Sequence, residues 1–247
     1  MLRVLCLGSR PESVQCLEYL LKEVENISVV GAVPHFAPQT ERTIKNYKNL
    51  IRQHQIPEIK FNKIRDLDYD LGLSFLFDRK IEPTDVDHPK LGFVNIHLGP
   101  LPRFRGSYSI AYAIKRARLD NNYKFGVTLH YMDHDLDTGP IIDLFEVPIF
   151  EDDSAYLLYI RALEVVLPVF KRNIHQIVQS GKKVKAVPQD CSIKSFFYSK
   201  GQLEHEVDLA GSPDQIYDDI RALTFPGKPK PFAVIGNYRV YLSLKDE

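Results

Sequence analysis

LRVLCLGSRPE, residues 2–12, predicts a short buried strand that passes straight into a helix. The run from Leu2 to Gly8 is apolar at almost every position and ends at a glycine, which is typical of a strand covered on both faces. Ser9-Arg10-Pro11-Glu12 then opens a helix that extends to about Glu25, with leucines at helical spacing. A strand followed at once by a helix is the first part of a β–α–β unit, from which parallel sheets are built.

The same alternation continues along the chain. Further elements are predicted as strands at residues 27–33, 69–75, 91–96, 126–132 and 141–149, and as helices at 44–54, 108–117 and 154–180. Pro168 lies inside the last helix, so a kink or a break is expected there. The fold class that follows is α/β, with a mostly parallel Rossmann-like sheet, helices on both faces and a small C-terminal extension. Ligands of such sheets bind beyond the carboxyl ends of the strands.

The C-terminal part of the chain has a different texture. Residues 188–201 are predicted to form a loop or linker, and a short helix is expected at 213–223. Gly236-Asn237 between two apolar segments then predicts a β-hairpin. We therefore expect two domains, a catalytic domain over 1–190 and a small subdomain over 191–247.

Composition narrows the range of partners. The 247 residues carry 32 Lys+Arg and 32 Asp+Glu, so the basic excess of a dedicated nucleic-acid binder is missing. The N-terminus does not resemble a signal peptide, and no apolar run reaches the length of a membrane span. We expect a cytoplasmic protein with neither a nucleic-acid nor a membrane partner. The apolar hairpin strand with Tyr238 and Tyr241 could pair with a second copy, which predicts a homodimer.

Three polar residues suggest acyl transfer. Asn95 and His97 stand two apart at the end of a predicted strand, so their side chains point the same way. Asp137 follows forty residues after His97. Transfer of an acyl carbon to an amine needs an amide to steady the oxyanion, an imidazole to handle a proton and a carboxylate to orient the imidazole. Each residue alone is more often structural, so the prediction depends on their combination.

Two blocks of sequence resemble the folate-dependent formyltransferase family, NIHLGPLPRFRG at 95–106 and GVTLHYMDHDLDTGPII at 126–142. The resemblance extends over about residues 1–190. This family includes glycinamide ribonucleotide formyltransferase, methionyl-tRNA formyltransferase and the nucleotide-sugar N-formyltransferases. The resemblance implies that Asn95, His97 and Asp137 form the catalytic triad and that 10-formyltetrahydrofolate is the formyl donor, with no metal.

The resemblance also implies a pterin pocket lined by main chain. Its residues would be Phe75, Leu76, Phe77, Asp133, His134 and Asp135. His134 departs mildly from the family pattern and is not assigned to the triad. His130 and His134 have the spacing of zinc ligands on a helix, but the segment is predicted as a strand, so zinc binding is not expected.

Five residues are candidates for binding the acceptor substrate: Ser9, Arg10, Lys80, Arg105 and Tyr108. Arg10 lies at a predicted helix N-terminus, where backbone N–H groups favour an anion and a guanidinium adds a bidentate contact. An exposed arginine beside an N-cap explains the same pattern equally well. Lys80 and Arg105 add cations near the crevice, although solvated surface turns are the simpler explanation for each alone.

The features that indicate the acceptor substrate are less specific than the motifs that indicate the reaction. The intermediate tail, its closing hairpin and the loop Leu98-Gly99-Pro100-Leu101-Pro102 resemble the nucleotide-sugar branch. We therefore expect a nucleotide-linked amino-dideoxysugar, such as dTDP-4-amino-4,6-dideoxyglucose or its 3-amino analogue. The alternatives are methionyl-tRNA or glycinamide ribonucleotide as acceptor, and an inactive protein that binds folate and nucleotide.

Overall fold

The computed structural model describes residues 1–35, 41–198, 201 and 203–244. Its strands are β1 (Leu2–Gly8), β2 (Ile27–Pro34), β3 (Leu71–Phe75), β4 (Phe93–Leu98), β5 (Phe104–Gly106), β6 (Lys124–Tyr131), β7 (Ile141–Pro148), β8 (Phe196–Tyr198), β9 (Phe232–Ile235) and β10 (Tyr238–Tyr241). Its helices are α1 (Pro11–Glu23), α2 (Glu41–Gln53), α3 (Pro83–Val86), α4 (Ser109–Ala117), α5 (Ala155–Glu164), α6 (Val166–Gln179) and α7 (Pro213–Leu223), with a 3₁₀ turn at Phe61–Asp66.

A six-stranded sheet has the order β2-β1-β3-β4-β6-β7. β1 pairs in parallel with both β2 and β3, and β3 pairs in parallel with β4. The remaining strands form two small pairs, β5 with β8 in parallel and β9 with β10 as an antiparallel hairpin. The α/β fold and its terminal hairpin are therefore confirmed.

The register of the parallel strands places three carboxyl ends in one row. Gly8 stands opposite Phe75 of the neighbouring strand, and Phe75 stands opposite Ile96. The residues that follow these three positions therefore emerge at the same edge of the sheet. That edge is where ligands of parallel sheets bind, and it carries Arg10 and His97.

An apolar cluster includes residues of β1 and β4, two of the strands that end at this edge. Leu5, Leu7 and Phe93 are completely buried and pack with Val33 and Ile64. Burial of each such side chain contributes roughly 1.5–3 kcal/mol to folding. β1 and β4 are therefore tightly packed within the core, and this packing limits the movement of the site residues at their carboxyl ends.

The described residues fall into two compact units. The first consists of residues 1–97, 127–145 and 165–191, and the second of residues 98–126, 146–164 and 192–247. The predicted division into domains 1–190 and 191–247 stays a prediction.

The long helix expected at 154–180 is two helices. α5 ends at Glu164 and α6 begins at Val166, with Val165 as its N-cap. Pro168 is the third residue of α6, where a helix has no use for the missing N–H, so the proline is accommodated in the first turn rather than in the helix interior. The expected break is present, three residues before the proline.

Two of the short elements were not predicted. β5 and β8 are only three residues long, and β8 lies within the stretch 188–201 that was expected to be a loop. Phe104 of β5 stacks on Phe196 of β8 with ring centroids 5.8 Å apart. A pairing between segments some ninety positions apart leaves no periodic pattern in either of them, which is why the sequence did not reveal it.

The second unit contains a buried arginine. Arg221 of α7 is completely inaccessible to solvent. Its Nε donates to Asp218 Oδ1 at 2.8 Å, and its Nη1 donates to the carbonyl oxygens of Phe150 and Asp153, both at 3.1 Å. Asp218 also accepts a hydrogen bond from Arg118 Nε at 3.0 Å. The guanidinium thus joins α7 to the segment that precedes α5.

Candidate active site

The structure brings the three predicted catalytic residues together at the edge of the sheet. Asn95 and His97 project from β4, and Asp137 comes from the loop between β6 and β7. All three are buried, with 8–9% of each residue exposed. Asp137 Oδ2 lies 3.5 Å from His97 Nδ1, which is long for a hydrogen bond but within the range of an ion pair.

His130 completes the cluster and was missed as a site residue. Its Nε2 lies 3.1 Å from Asn95 Nδ2 and 3.7 Å from Asp137 Oδ1. The sequence singles out His130 only through its zinc-ligand spacing to His134, which is exposed and lies with Nε2 2.7 Å from Asp87 Oδ2. Strand alternation predicts that His130 and Thr128 share one face of β6. It does not predict that this face of His130 contacts Asn95 on β4, so the sequence alone could not assign His130 to the site.

A chain of hydrogen bonds fixes which way the Asn95 amide points. His130 Nδ1 lies 2.8 Å from the carbonyl oxygen of Tyr131, which can only accept, so Nδ1 carries the proton. Nε2 of the neutral ring must then accept, and it takes an N–H from Asn95 Nδ2. Asn95 Oδ1 in turn accepts from Ser74 Oγ at 2.7 Å. The same nitrogen of Asn95 carries a second N–H, the kind of donor that an oxyanion requires.

Burial keeps His130 neutral. Desolvation lowers the pKa of His130 from 6.5 to about 4, although the Asp137 carboxylate acts in the opposite direction. The ring therefore does not neutralise Asp137 near neutral pH. His97 is the other imidazole of the cluster that faces this carboxylate, with Nδ1 3.5 Å from Asp137 Oδ2.

We expect a pH-dependent contribution of His130 to stability. Between pH 6.5 and about 4 the unfolded state binds a proton on His130 and the folded state does not, so stability falls as the pH falls through that window. The loss from pH 7 to pH 5 should be about 2 kcal/mol. Urea unfolding of His130→Gln should lack this part of the loss, whereas the exposed control His54→Gln should retain it. An equal pH dependence in His130→Gln would contradict the expectation.

Two residues at the site have backbone conformations that side chains rarely adopt. Asp137 has φ 57° and Leu76, at the end of β3, has φ 52°. Such conformations are strained for a residue other than glycine and concentrate at functional sites. Gly139 is required for a related reason, because a Cβ there would overlap the carbonyl oxygen of Tyr131.

The predicted pterin-binding residues lie in two places. Asp133, His134 and Asp135 line a cavity of about 390 Å³ together with Tyr131 and Lys183. On β3, the side chain of Phe75 is buried against Phe170, with ring centroids 5.1 Å apart, and Phe77 packs on Phe61. Phe75 therefore offers a ligand only its main chain, as the resemblance implies. The pterin-binding role of these residues stays a prediction.

Ser9, a predicted substrate-binding residue, is hydrogen-bonded within the protein. Ser9 is 3% exposed, and its Oγ donates to Asp78 Oδ1 at 3.0 Å and accepts from Asp78 N at 3.2 Å. These bonds join the loop after β1 to the loop after β3. The hydroxyl is thereby committed to the protein, and the predicted contact of Ser9 with substrate stays a prediction.

The other predicted substrate residues are divided between the units. Arg10 is the N-cap of α1 and makes no side-chain cap hydrogen bond, and Lys80 is exposed after β3. Arg105 and Tyr108 belong to the second unit. Tyr108 precedes α4 with φ 61°, and its hydroxyl accepts from Gly201 N at 3.2 Å. The substrate-binding roles of these four residues stay predictions.

The described residues contain neither a metal-binding cluster nor a membrane-spanning helix. Within residues 1–35, 41–198, 201 and 203–244, no group of three or more His, Cys, Asp or Glu is arranged to hold a metal ion. No helix in the same residues has both the length and the apolar character needed to cross a membrane.

Comparison with known proteins identifies the class. Residues 26–172, more than half of the 247, match the family model described as formyl transferase. The chain belongs to this family, as its resemblance implied.

The similar proteins include methionyl-tRNA formyltransferases and sugar N-formyltransferases. A methionyl-tRNA formyltransferase of Geobacillus sp. strain WCH70 is 29% identical over 234 residues, which cover 90% of this chain and 72% of the relative. A 4-N formyltransferase from Francisella tularensis has a similar structure, with TM-score 0.79, 19% identity and coverage of 98% of this chain and 97% of the other. WlaRD, a sugar 3N-formyl transferase solved in the presence of dTDP and 5-N-formyl-THF, gives TM-score 0.74, 25% identity and coverage of 97% and 85%.

Proposed function

We propose that this formyltransferase moves the formyl group of 10-formyltetrahydrofolate to the amine of a nucleotide-linked amino-dideoxysugar. The acceptor would be dTDP-4-amino-4,6-dideoxyglucose or its 3-amino analogue. One observation carries the proposal: a buried cluster of Asn95, His97, His130 and Asp137 at the carboxyl end of β4 in a chain of this family.

Each member of the cluster has a task in the proposed reaction. Attack of the neutral amine on the formyl carbon turns the carbonyl oxygen into an oxyanion, which Asn95 N–H and protonated His97 stabilise. Asp137 orients His97 through Nδ1, 3.5 Å away. The amine then loses its proton, and N10 of the folate gains one as the C–N bond to the formyl group breaks. His97 and Asp137 are placed to pass that proton, and no covalent intermediate on the protein is needed.

The donor and acceptor are supported by separate features. The cavity lined by Asp133, His134 and Asp135 belongs to the same β6–β7 loop that carries Asp137, and this shared loop supports the proposed folate site. WlaRD, 25% identical, was solved with a formylated folate and dTDP. Arg10 and Lys80 follow strands whose ends lie in one row with β4, where a pyrophosphate would meet positive charge.

Methionyl-tRNA remains the second candidate acceptor because the Geobacillus enzyme is 29% identical over most of this chain. The formal net charge of zero weighs against it, since tRNA binding depends on contacts between cations and phosphates.

An acceptor panel tests the proposal. The protein is incubated with 10-formyltetrahydrofolate and, separately, dTDP-4-amino-4,6-dideoxyglucose, its 3-amino counterpart, glycinamide ribonucleotide and methionyl-tRNA. We expect mass spectrometry to show one added formyl group on an amino-sugar nucleotide. Formylation of methionyl-tRNA or glycinamide ribonucleotide alone would overturn the choice of acceptor. Calorimetric binding of folate and nucleotide without any product would indicate an inactive binding protein.

The homodimer and the cytoplasmic location belong to the proposal as well. The hairpin of β9 and β10 exposes 77% of Tyr238 and 62% of Tyr241, an unusual degree for aromatic residues. Such a surface supports association with a second copy of the chain.

A further inference from the structure

The Asp137 loop is attached to a segment more than fifty residues further along the chain. Gln189 Nε2 donates to the carbonyl oxygen of Asp137 and to that of Gly139, both at 2.8 Å. Carbonyl oxygens only accept, so the atom between them must be the NH₂ group, and both of its hydrogens are used. Gln189 therefore bridges the two carbonyls that flank Thr138.

The segment that carries Gln189 is itself anchored to the same part of the first unit. Val187 exchanges two backbone hydrogen bonds with Ile141, at 2.7 and 2.8 Å. Val184 N donates to the hydroxyl of Tyr131 at 2.8 Å. The backbone that precedes Gln189 is thus held by hydrogen bonds close to the Asp137 loop, which positions the Gln189 side chain to reach that loop.

The loop needs such an attachment for a physical reason. Asp137 is held at φ 57°, in the left-handed region that residues other than glycine adopt less readily and that neighbouring contacts help to maintain. Its carboxylate must also keep its position 3.5 Å from His97 Nδ1. Relaxation of the backbone at Asp137 would rotate the carboxylate away from His97.

We propose that Gln189 is a positioning residue for formyl transfer, which holds the Asp137 backbone in the conformation that aims its carboxylate at His97. The inference rests on the proposed function. The proposed role of Gln189 is the same whichever acceptor is used. Its loss should therefore lower the rate of the chemical step and leave the affinity for the acceptor unchanged.

Two substitutions remove the bridge in different ways. Gln189→Met keeps the length of the side chain and removes both donors. Gln189→Glu keeps the shape and places a carboxylate oxygen against two carbonyl oxygens. Gln179→Met, at the exposed end of α6, is the matched control. We expect kcat per folate-binding site to fall about ten- to a hundredfold in Gln189→Met, and further in Gln189→Glu, because displacement of a catalytic group by about 1 Å has effects of this size.

The kinetic readout separates positioning from a merely structural role. KM for the amino-sugar nucleotide should stay within about twofold of the wild type, since an interaction used only in the transition state changes kcat and not ground-state binding. A structural role alone would lower the number of folate-binding sites and leave kcat per site unchanged. Wild-type kcat per site in both Gln189 variants would overturn the proposal.

A measurement without substrates keeps this inference distinct from the proposed function. The carbonyl ¹³C resonances of Asp137 and Gly139 should shift in Gln189→Met relative to the wild type, and not in Gln179→Met. Unshifted resonances would show that the bridge is absent in solution and would overturn the inference on their own. If the wild type formylates no acceptor, the proposed function fails, and the resonances still decide whether Gln189 holds the loop.

Discussion

Replacing His97 with alanine should reduce formyl transfer about a thousand- to ten-thousandfold while the protein stays folded, because a general acid–base group and an oxyanion donor are lost together. His97 is a buried polar residue whose ring packs edge-to-face against His130, with ring centroids 6.4 Å apart, so the change removes no apolar side chain from the core. Product formation should be measured by mass spectrometry at saturating donor, and folding by circular dichroism.

Companion variants sharpen the expectation for His97. Asn95→Ala should lose about a hundred- to a thousandfold, the usual effect of removing one oxyanion donor. Because the two residues act on the same charge, the double variant should be little worse than His97→Ala alone. His54→Ala, exposed at the end of α2, is the control. A folded His97→Ala variant with activity near that of the wild type would remove the triad assignment.

Replacing Arg221 with methionine should destabilise the protein by about 3–5 kcal/mol, because it removes one partner from a buried ion pair. The guanidinium has no solvent exposure, and two carbonyl oxygens and Asp218 Oδ1 would lose their donor. Methionine fills a similar volume but offers no hydrogen bond. Thermal unfolding and urea unfolding at pH 7 measure the change.

Arg118→Met is the matched control for this stability prediction. Arg118 donates to the other oxygen of the same carboxylate, Asp218 Oδ2, but its side chain is 31% exposed. Solvent screens such a pair, so its removal should cost about 1 kcal/mol or less. Equal losses in the two variants would mean that burial of Arg221 adds nothing to the pair.

The sequence predicted the sheet well because each buried strand is a continuous apolar run. Leu2–Gly8 and Ile27–Pro34 consist mostly of apolar residues, and Val4–Gly8 and Gly31–Val33 within them are buried, as expected for strands of a parallel sheet. The helix at 213–223 has the bounds that the sequence predicted, and the structure shows that Ser212 and Gln215 form a capping box at its start. Short pairings such as β5 with β8 depend on contacts that no local pattern encodes.

The candidate site was predicted in part for similar reasons. Asn95, His97 and Asp137 belong to compact motifs, and a motif of three polar types in order is recognisable. His130 and Gln189 reach the site only in the folded chain. His130 lies on β6, where its Nδ1 is bonded to the carbonyl oxygen of Tyr131. Gln189 lies in the segment after α6, and its side-chain amide donates to the carbonyl oxygen of Asp137. Ser9 shows how the folded chain adds contacts that a motif does not reveal: its hydroxyl is hydrogen-bonded to Asp78, while its predicted contact with substrate stays a prediction.

The hydrogen bonds from Tyr131 through His130 to Asn95 have a consequence for the temperature dependence of the reaction. Since a backbone carbonyl dictates the direction of every bond in that series, the amide dipole has its final orientation before any ligand arrives. Little reorganisation is then left for the moment when charge develops on the formyl oxygen. The activation entropy of the chemical step should accordingly be small, with the ordering of the dipoles already completed during folding.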